Sequence, residues 1–197
     1  MGCCSSRSSD SPASRVARWR STGIVALRDA RLKEVPNEVL QVGNSMRILD
    51  LTNNKLVEIP EEVGRLVNLQ RLMSLLNVSD NKLKELPESI GSCKSLEELQ
   101  ANGNSIEDVP SSVCNLVCLK SLSLNGNKIR QLPQTLLKDC KALQNISLHD
   151  NPITMDQFQE MDGFQDFEAR RKKKFDKQID SNVMMSSTAL DEGIDLH

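Results

Sequence analysis

The chain opens Met1-Gly2-Cys3-Cys4-Ser5-Ser6-Arg7. This fits the pattern Met-Gly-x-x-x-Ser/Thr, in which removal of Met1 frees the amine of Gly2 for an amide bond to myristate. The thiols of Cys3 and Cys4 lie beside it as acceptors for palmitate. One myristoyl chain holds a protein to a bilayer only marginally, and a stable anchor takes a second signal. The segment offers two: the thiols, and Arg7, Arg15, Arg18 and Arg20 set against Asp10 alone. Each cation close to an anionic leaflet adds about 1 kcal/mol. Lipidation at Gly2, Cys3 and Cys4 is therefore the expectation. An unmodified polar tail and a Ser- and Arg-rich transit peptide are the alternatives.

Reactive groups elsewhere are sparse. The cysteines are Cys3, Cys4, Cys93, Cys114, Cys118 and Cys140. In a reducing compartment they are free thiols. Cys114-x-x-x-Cys118 has a ligand-like spacing, but His149 and His197 are not spaced to complete a site, so neither metal nor cofactor is expected. No nucleophile–base pair stands near His149, which argues against an enzyme. Asn77-Val78-Ser79 and Asn145-Ile146-Ser147 are glycosylation sequons, yet there is no secretory apolar region to bring them to that machinery. Net charge is −2, with no nucleic-acid signature. No run of 18 apolar residues marks a membrane span.

The side chain that does recur is an amide. Asn54, Asn81, Asn104, Asn127 and Asn151 stand at steps of 27, 23, 23 and 24 residues, with Ala30 at the same position 24 residues before the first. Each heads the second half of one template. Leu96-x-x-Leu99-x-Ala101-x-x-Asn104-x-Ile106-x-x-Val109-Pro110 is one copy. Leu119-x-x-Leu122-x-Leu124-x-x-Asn127-x-Ile129-x-x-Leu132-Pro133 is the next. This is the leucine-rich repeat pattern. The first unit lacks the Asn and the last lacks the Leu-Pro, as terminal units facing water can.

The template specifies its elements. The L-x-L core is a short parallel strand whose Leu pair points into a solenoid. The Asn turns the chain off the strand, and its amide satisfies backbone groups of adjacent turns that would otherwise be buried unpaired. The Leu-Pro step sends the chain along the convex side in an extended or 3₁₀-like path. Val39, Val63, Ile90, Val113 and Leu136 follow the Pro by three residues and pack inward. Cys93 and Cys140 fall where Leu66 and Leu116 do and are small core residues. The expected fold is an α/β leucine-rich repeat solenoid over residues 24–153, with a curved parallel sheet on the concave side and helical caps at both ends.

The 27-residue step is the irregular one. Leu69-Gln70-Arg71-Leu72 begins a repeat in phase, and Met73-Ser74-Leu75-Leu76 begins it again. Either four residues bulge out, or whole repeats are missing at a junction, as in a shortened splice isoform. A solenoid tolerates such loss because each unit touches only its neighbours.

The caps are legible at the ends. Ser11-Pro12 starts a helix and Gly23 ends it. Val16 and Trp19 share one face, which covers the first repeat or, alternatively, lies at a lipid headgroup layer. Thr154-x-x-Gln157 is a capping box. Phe158, Met161, Phe164 and Phe167 follow and close the last repeat over residues 154–178. Arg170-Arg171-Lys172-Lys173-Lys174 reads as a solvated helix face, or else as a second membrane contact or a nuclear-import patch. Residues 1–11 and 179–197 are expected to be disordered.

The strand positions flanking the Leu pair face outward on the concave side. They include Ile48, Asp50, Thr52, Leu75, Asn77, Ser79, Glu98, Gln100, Asn102, Ser121, Ser123, Asn125, Asn145, Ser147 and His149. This face is mainly small and polar, with acids and no Lys or Arg at those positions. It suits a protein partner with a basic or hydrogen-bonding surface. Plain solvation of a sheet face is the alternative.

The proline-bearing 23-residue repeats resemble the Ras-group class of intracellular leucine-rich repeat proteins. The resemblance is closer to the small family of leucine-rich repeat-containing protein 57, in its plant members. Met1-Gly2, the entry Thr22-Gly23-Ile24-Val25-Ala26-Leu27-Arg28-Asp29 and the ending Phe164-Gln165-Asp166-Phe167-Glu168 with Arg171-Lys172-Lys173-Lys174-Phe175 carry it. It implies a curved solenoid, anchoring through Gly2 and a protein-binding role, with a small GTPase as one candidate partner. Members of that family are longer by several repeats. The expected function is a monomeric, non-enzymatic adaptor on the cytoplasmic face of the plasma membrane or an endomembrane, or in the cytoplasm if unacylated. A regulatory subunit of a phosphatase or ubiquitin ligase, or a shortened isoform with reduced binding, is the alternative.

Overall fold

The computed structural model describes residues 11–67 and 75–186. Six three-residue strands form one parallel sheet in chain order: β1 (Ile24–Ala26), β2 (Ile48–Asp50), β3 (Leu75–Asn77), β4 (Glu98–Gln100), β5 (Ser121–Ser123) and β6 (Asn145–Ser147). The register pairs Val25, Leu49, Leu76, Leu99, Leu122 and Ile146 in one row. The first five of these are buried. Side chains alternate across a strand, so the residues on either side of each row member face the other way.

The strands are short because the chain turns off at a fixed place. Three residues after each strand comes Asp29, Asn53, Asp80, Gly103, Gly126 or Asp150, all with φ between +55° and +63°. Only Gly, Asn and Asp adopt this left-handed conformation readily. The ladder Asn follows immediately, with Ala30 in its place in the first unit. On the convex side, short helical turns follow the prolines: α2 (Asn37–Leu40), 3₁₀ segments over Glu61–Val67, Glu88–Ser92 and Ser111–Asn115, and α3 (Leu136–Asp139). Val39, Val63, Ile90, Val113 and Leu136 are fully buried beneath them, as are Cys93 and Cys140.

Helices close both ends of this core. Helix α1 (Pro12–Thr22) is capped by Ser11, whose Oγ accepts from Ser14 N–H at 3.2 Å, and ends at Gly23 in the left-handed region. Val16 and Trp19 are buried in the common core, so this face covers the first repeat and does not lie at a headgroup layer. Arg15 adds an ion pair to Glu38 at 3.0 Å. At the far end α4 (Met155–Gln159) carries the full capping box of Thr154 and Gln157. Phe158 meets Phe164 and Phe167 edge to face, at centroid distances of 5.8 and 5.9 Å.

Helix α5 (Phe164–Ser186) runs past residue 178, the end expected for the C-terminal cap. No Gly or Pro interrupts the chain between Gly163 and Gly193. Nor is the basic run wholly a solvated face. Arg170 donates to Leu137 O at 2.8 Å and to Leu143 O at 3.1 Å, tying α5 to the last repeats. The double start at residues 69–74 lies outside the described residues, as do Gly2, Cys3 and Cys4. Beyond the irregularity the sheet resumes in phase, with Leu75 opposite Ile48.

Candidate functional site

The concave face is three columns wide. The first column, from β1 to β6, reads Ile24, Ile48, Leu75, Glu98, Ser121, Asn145; the second reads Ala26, Asp50, Asn77, Gln100, Ser123, Ser147. The third lies two residues further along each chain segment and reads Arg28, Thr52, Ser79, Asn102, Asn125, His149.

The asparagine ladder beneath this face sets its spacing. Asn81 Nδ2 donates to Leu51 O of the preceding repeat at 3.0 Å, and to Val78 O and Ser79 O of its own at 3.1 and 3.0 Å. Its Oδ1 accepts from Leu56 N–H of the preceding repeat at 3.0 Å. Asn54, Asn104, Asn127 and Asn151 repeat the arrangement: their Oδ1 atoms accept from Leu32, Leu83, Ile106 and Ile129 N–H respectively. Each amide thus serves the repeat before it. The first unit has none before it, which is why Ala30 suffices there.

A second ladder runs along the third column. Asn102 N–H donates to Ser79 Oγ at 3.2 Å, Asn125 N–H to Asn102 Oδ1 at 2.8 Å, and His149 N–H to Asn125 Oδ1 at 2.9 Å. In the second column Asn77 Oδ1 accepts from Ser79 N–H at 3.0 Å, and its Nδ2 donates to Gln100 Oε1 at 2.8 Å. Asn77, Asn102 and Asn125 therefore bind backbone and neighbouring side chains as well as facing outward, whereas Ser79, expected on the binding face, is buried at 5% exposure beneath these contacts. The sequence signal for this, a polar residue repeated in one column, was the same one read as a binding surface.

Asp50 is on the face as expected, but it is covered. Arg28 Nε donates to Asp50 Oδ2 at 2.6 Å, and the carboxylate side chain is 1% exposed while Arg28 is 64% exposed. Thr52 donates to Oδ1 from its N–H at 3.1 Å and from its hydroxyl at 2.6 Å. Burial pushes the Asp50 carboxyl up, but the bonds from Arg28 and Thr52 and the guanidinium charge outweigh it and leave the group below its ordinary value. The face thus carries a cation, Arg28, contributed by the first unit. Glu98 and His149 are exposed, and Thr52, Gln100, Ser123 and Ser147 are half-buried.

His149 is among the residues lining a groove of about 260 Å³ between β6 and the C-terminal cap. Its walls are mostly apolar, from Ile146, Leu148, Met155 and Phe158. Among the described residues no three His, Cys, Asp or Glu side chains gather as a metal site. No described helix is long and apolar enough to cross a membrane. The buried thiols of Cys93 and Cys140 are pushed up to about 12 by desolvation, which suits packing and not nucleophilic chemistry.

Known proteins match this arrangement. A family model for leucine-rich repeats in two copies matches residues 94–138, and a single-repeat model matches residues 45–66. Plant intracellular Ras-group-related LRR protein 7 of Oryza sativa is 67% identical over 262 positions, covering all of both chains. Plant intracellular Ras-group-related LRR protein 8 of the same species is 48% identical over 32% of this chain and 17% of its own length. Among solved structures, a leucine-rich repeat protein of Leptospira interrogans superposes with a TM-score of 0.55 at 27% identity, over 75% of this chain and 43% of its own. In the full-length match this chain fills 197 of the 262 positions, so 65 positions are filled by the rice protein alone.

Proposed function

The chain belongs to the plant intracellular Ras-group-related leucine-rich repeat proteins, and from that premise we propose that it is a non-enzymatic adaptor that binds a protein partner on its concave face while acyl groups on Gly2, Cys3 and Cys4 hold it to a membrane. The observation that carries the binding half is an outward-facing sheet surface whose spacing is held by two hydrogen-bond ladders. A preorganised surface loses little entropy on binding. The exposed Glu98 and His149 and the half-buried Gln100, Ser123 and Ser147 supply donors and acceptors for a partner's basic or hydrogen-bonding side chains. A small GTPase is the partner class that the family resemblance favours. The anchoring half rests on the residue types at the N-terminus.

Metabolic labelling with an alkynyl myristate tests the anchor. The wild type incorporates label and fractionates with membranes, and Gly2→Ala does neither. Label on the Gly2→Ala protein, or a wild type without label, would remove the anchor from the account.

A second reading has its own observation: the chain is a shortened form of a longer solenoid. Adding the 65 positions missing from this chain to its 27-residue step gives 92, which is four steps of 23. An excision of that length at residues 69–74 removes four residues fewer than three 23-residue repeats and so leaves the 27-residue step, across which β2 still pairs with β3. A longer transcript of the same gene that rejoins this sequence at the irregularity is the expected finding. A gene with this sequence as its sole product would contradict it.

A further inference from the structure

The first column of the concave face divides into two chemistries. Ile24, Ile48 and Leu75 stand side by side on β1, β2 and β3 in one register, and Glu98 follows on β4. Ile24 is 42% exposed. Ile48 and Leu75 are half-buried and Glu98 is exposed. All four lie opposite the buried row of Val25, Leu49, Leu76 and Leu99, so they project from the sheet and do not enter the core. Isolated apolar side chains on a surface need no explanation, but a contiguous row on a binding face does.

The spacing of that row selects its partner. Adjacent strands lie about 4.8 Å apart. A helix laid across them advances about 5.4 Å per turn, so its residues i, i+4 and i+7 fall over successive strands and i+11 over the fourth. An extended peptide repeats side chains on one face every ~6.6 Å and drifts out of step within two strands. We propose that Ile24, Ile48 and Leu75 are the anchor row for an amphipathic helix of a protein partner, crossing the strands with apolar residues at i, i+4 and i+7 and a Lys or Arg at i+11 over Glu98. The inference rests on the concave-face reading above and specifies its occupant: apolar anchors with one complementary charge, the helix-in-groove mode of recognition. If three further repeats separate β2 from β3 in the longer form, Leu75 there stands four strands from Ile48. The row of three then belongs to this shorter array.

The test is selection of phage-displayed 16-residue peptides on the full chain, with affinities of the enriched peptides measured by fluorescence anisotropy. Variants Ile24→Ser, Ile48→Lys and Ser147→Arg are compared with the wild type. Ile24→Ser changes an exposed residue at the sheet edge and serves even if Ile48→Lys proves poorly folded by its melting curve. Enriched peptides should be helical on binding and carry the i, i+4, i+7 apolar pattern with a basic i+11, read in either direction. They should lose about tenfold or more in affinity to Ile48→Lys, as expected for a central anchor, lose affinity to Ile24→Ser, and lose less to Ser147→Arg than to either of these. Peptides lacking that pattern and weakened only by Ser147→Arg would overturn the row and leave the concave-face reading standing. Peptides indifferent to all three variants would overturn both. Failure to enrich any peptide would reduce the row to an apolar scar of the junction and overturn the proposal.

Discussion

Arg28 closes over Asp50. The guanidinium of the first repeat lies across the carboxylate of the second, with Nε 2.6 Å from Oδ2, and Asp50 has almost no contact with water. A buried carboxylate is costly unless it is paired and hydrogen-bonded, and Arg28 and Thr52 together supply that. The pair also joins β1 to β2, next to the cap, where a solenoid frays first.

This pairing has a pH signature. The folded Asp50 carboxyl lies below its ordinary value, hence below its unfolded one. Its stabilising effect is therefore present above about pH 4, the ordinary Asp value, and fades as pH falls through the lower folded value. The urea midpoint of Asp50→Asn should fall short of the wild type at neutral pH, and the gap should close in acid. A gap independent of pH would contradict the assignment.

Asn104→Leu should destabilise the solenoid by about 1–3 kcal/mol, the cost of leaving a buried backbone group unpaired. The substitution orphans Leu83 N–H and removes the donor from Val78 O, in the neighbouring repeat. Equilibrium urea unfolding measures it. An unchanged midpoint would show that water replaces the amide at no cost.

Gly91 is held by space. A Cβ there would overlap Ser112 O in the next repeat. Gly91→Ala should therefore destabilise by about 1–3 kcal/mol through overpacking, although alanine is the better residue for a helical turn. A stabilised variant on thermal unfolding would mean that the convex turns separate freely.

The cysteines should react in order of exposure. At pH 8, iodoacetamide followed by mass spectrometry should label Cys118, which is exposed, before Cys93 and Cys140. These two are buried, with thiols pushed up to about 12, so they carry little thiolate at that pH. Equal rates in the native protein would contradict the packing described for them.

Much of this was legible in the residues. The steps between Asn81, Asn104 and Asn127 determine the strand count and phase, because one template specifies one turn of solenoid. Ser11-Pro12, Gly23 and the Thr154–Gln157 pair mark helix ends by local chemistry that needs no tertiary context. The face was harder to read. Its columns follow from alternation, but the pattern cannot tell a polar side chain that meets a partner from one that meets its own backbone, and Ser79, Asn102 and Asn125 do the latter. Arg28 carries no such signal because the first unit, with Ala30 for Asn, is the least typical. Helix α5 continues past the expected boundary at residue 178 because polar composition signals disorder only where no helix already under way can continue.

The most direct test of the central claim is proximity labelling in living cells with three baits: the wild type, Gly2→Ala, and a Gln100→Arg/Ser123→Arg variant that alters only the concave face. The account predicts that the wild type labels membrane-associated proteins, that Gly2→Ala loses the membrane set, and that the face variant stays at the membrane but loses a discrete group of partners. Identical maps for the wild type and the face variant would mean that the concave sheet binds nothing in the cell, and the adaptor reading would be wrong.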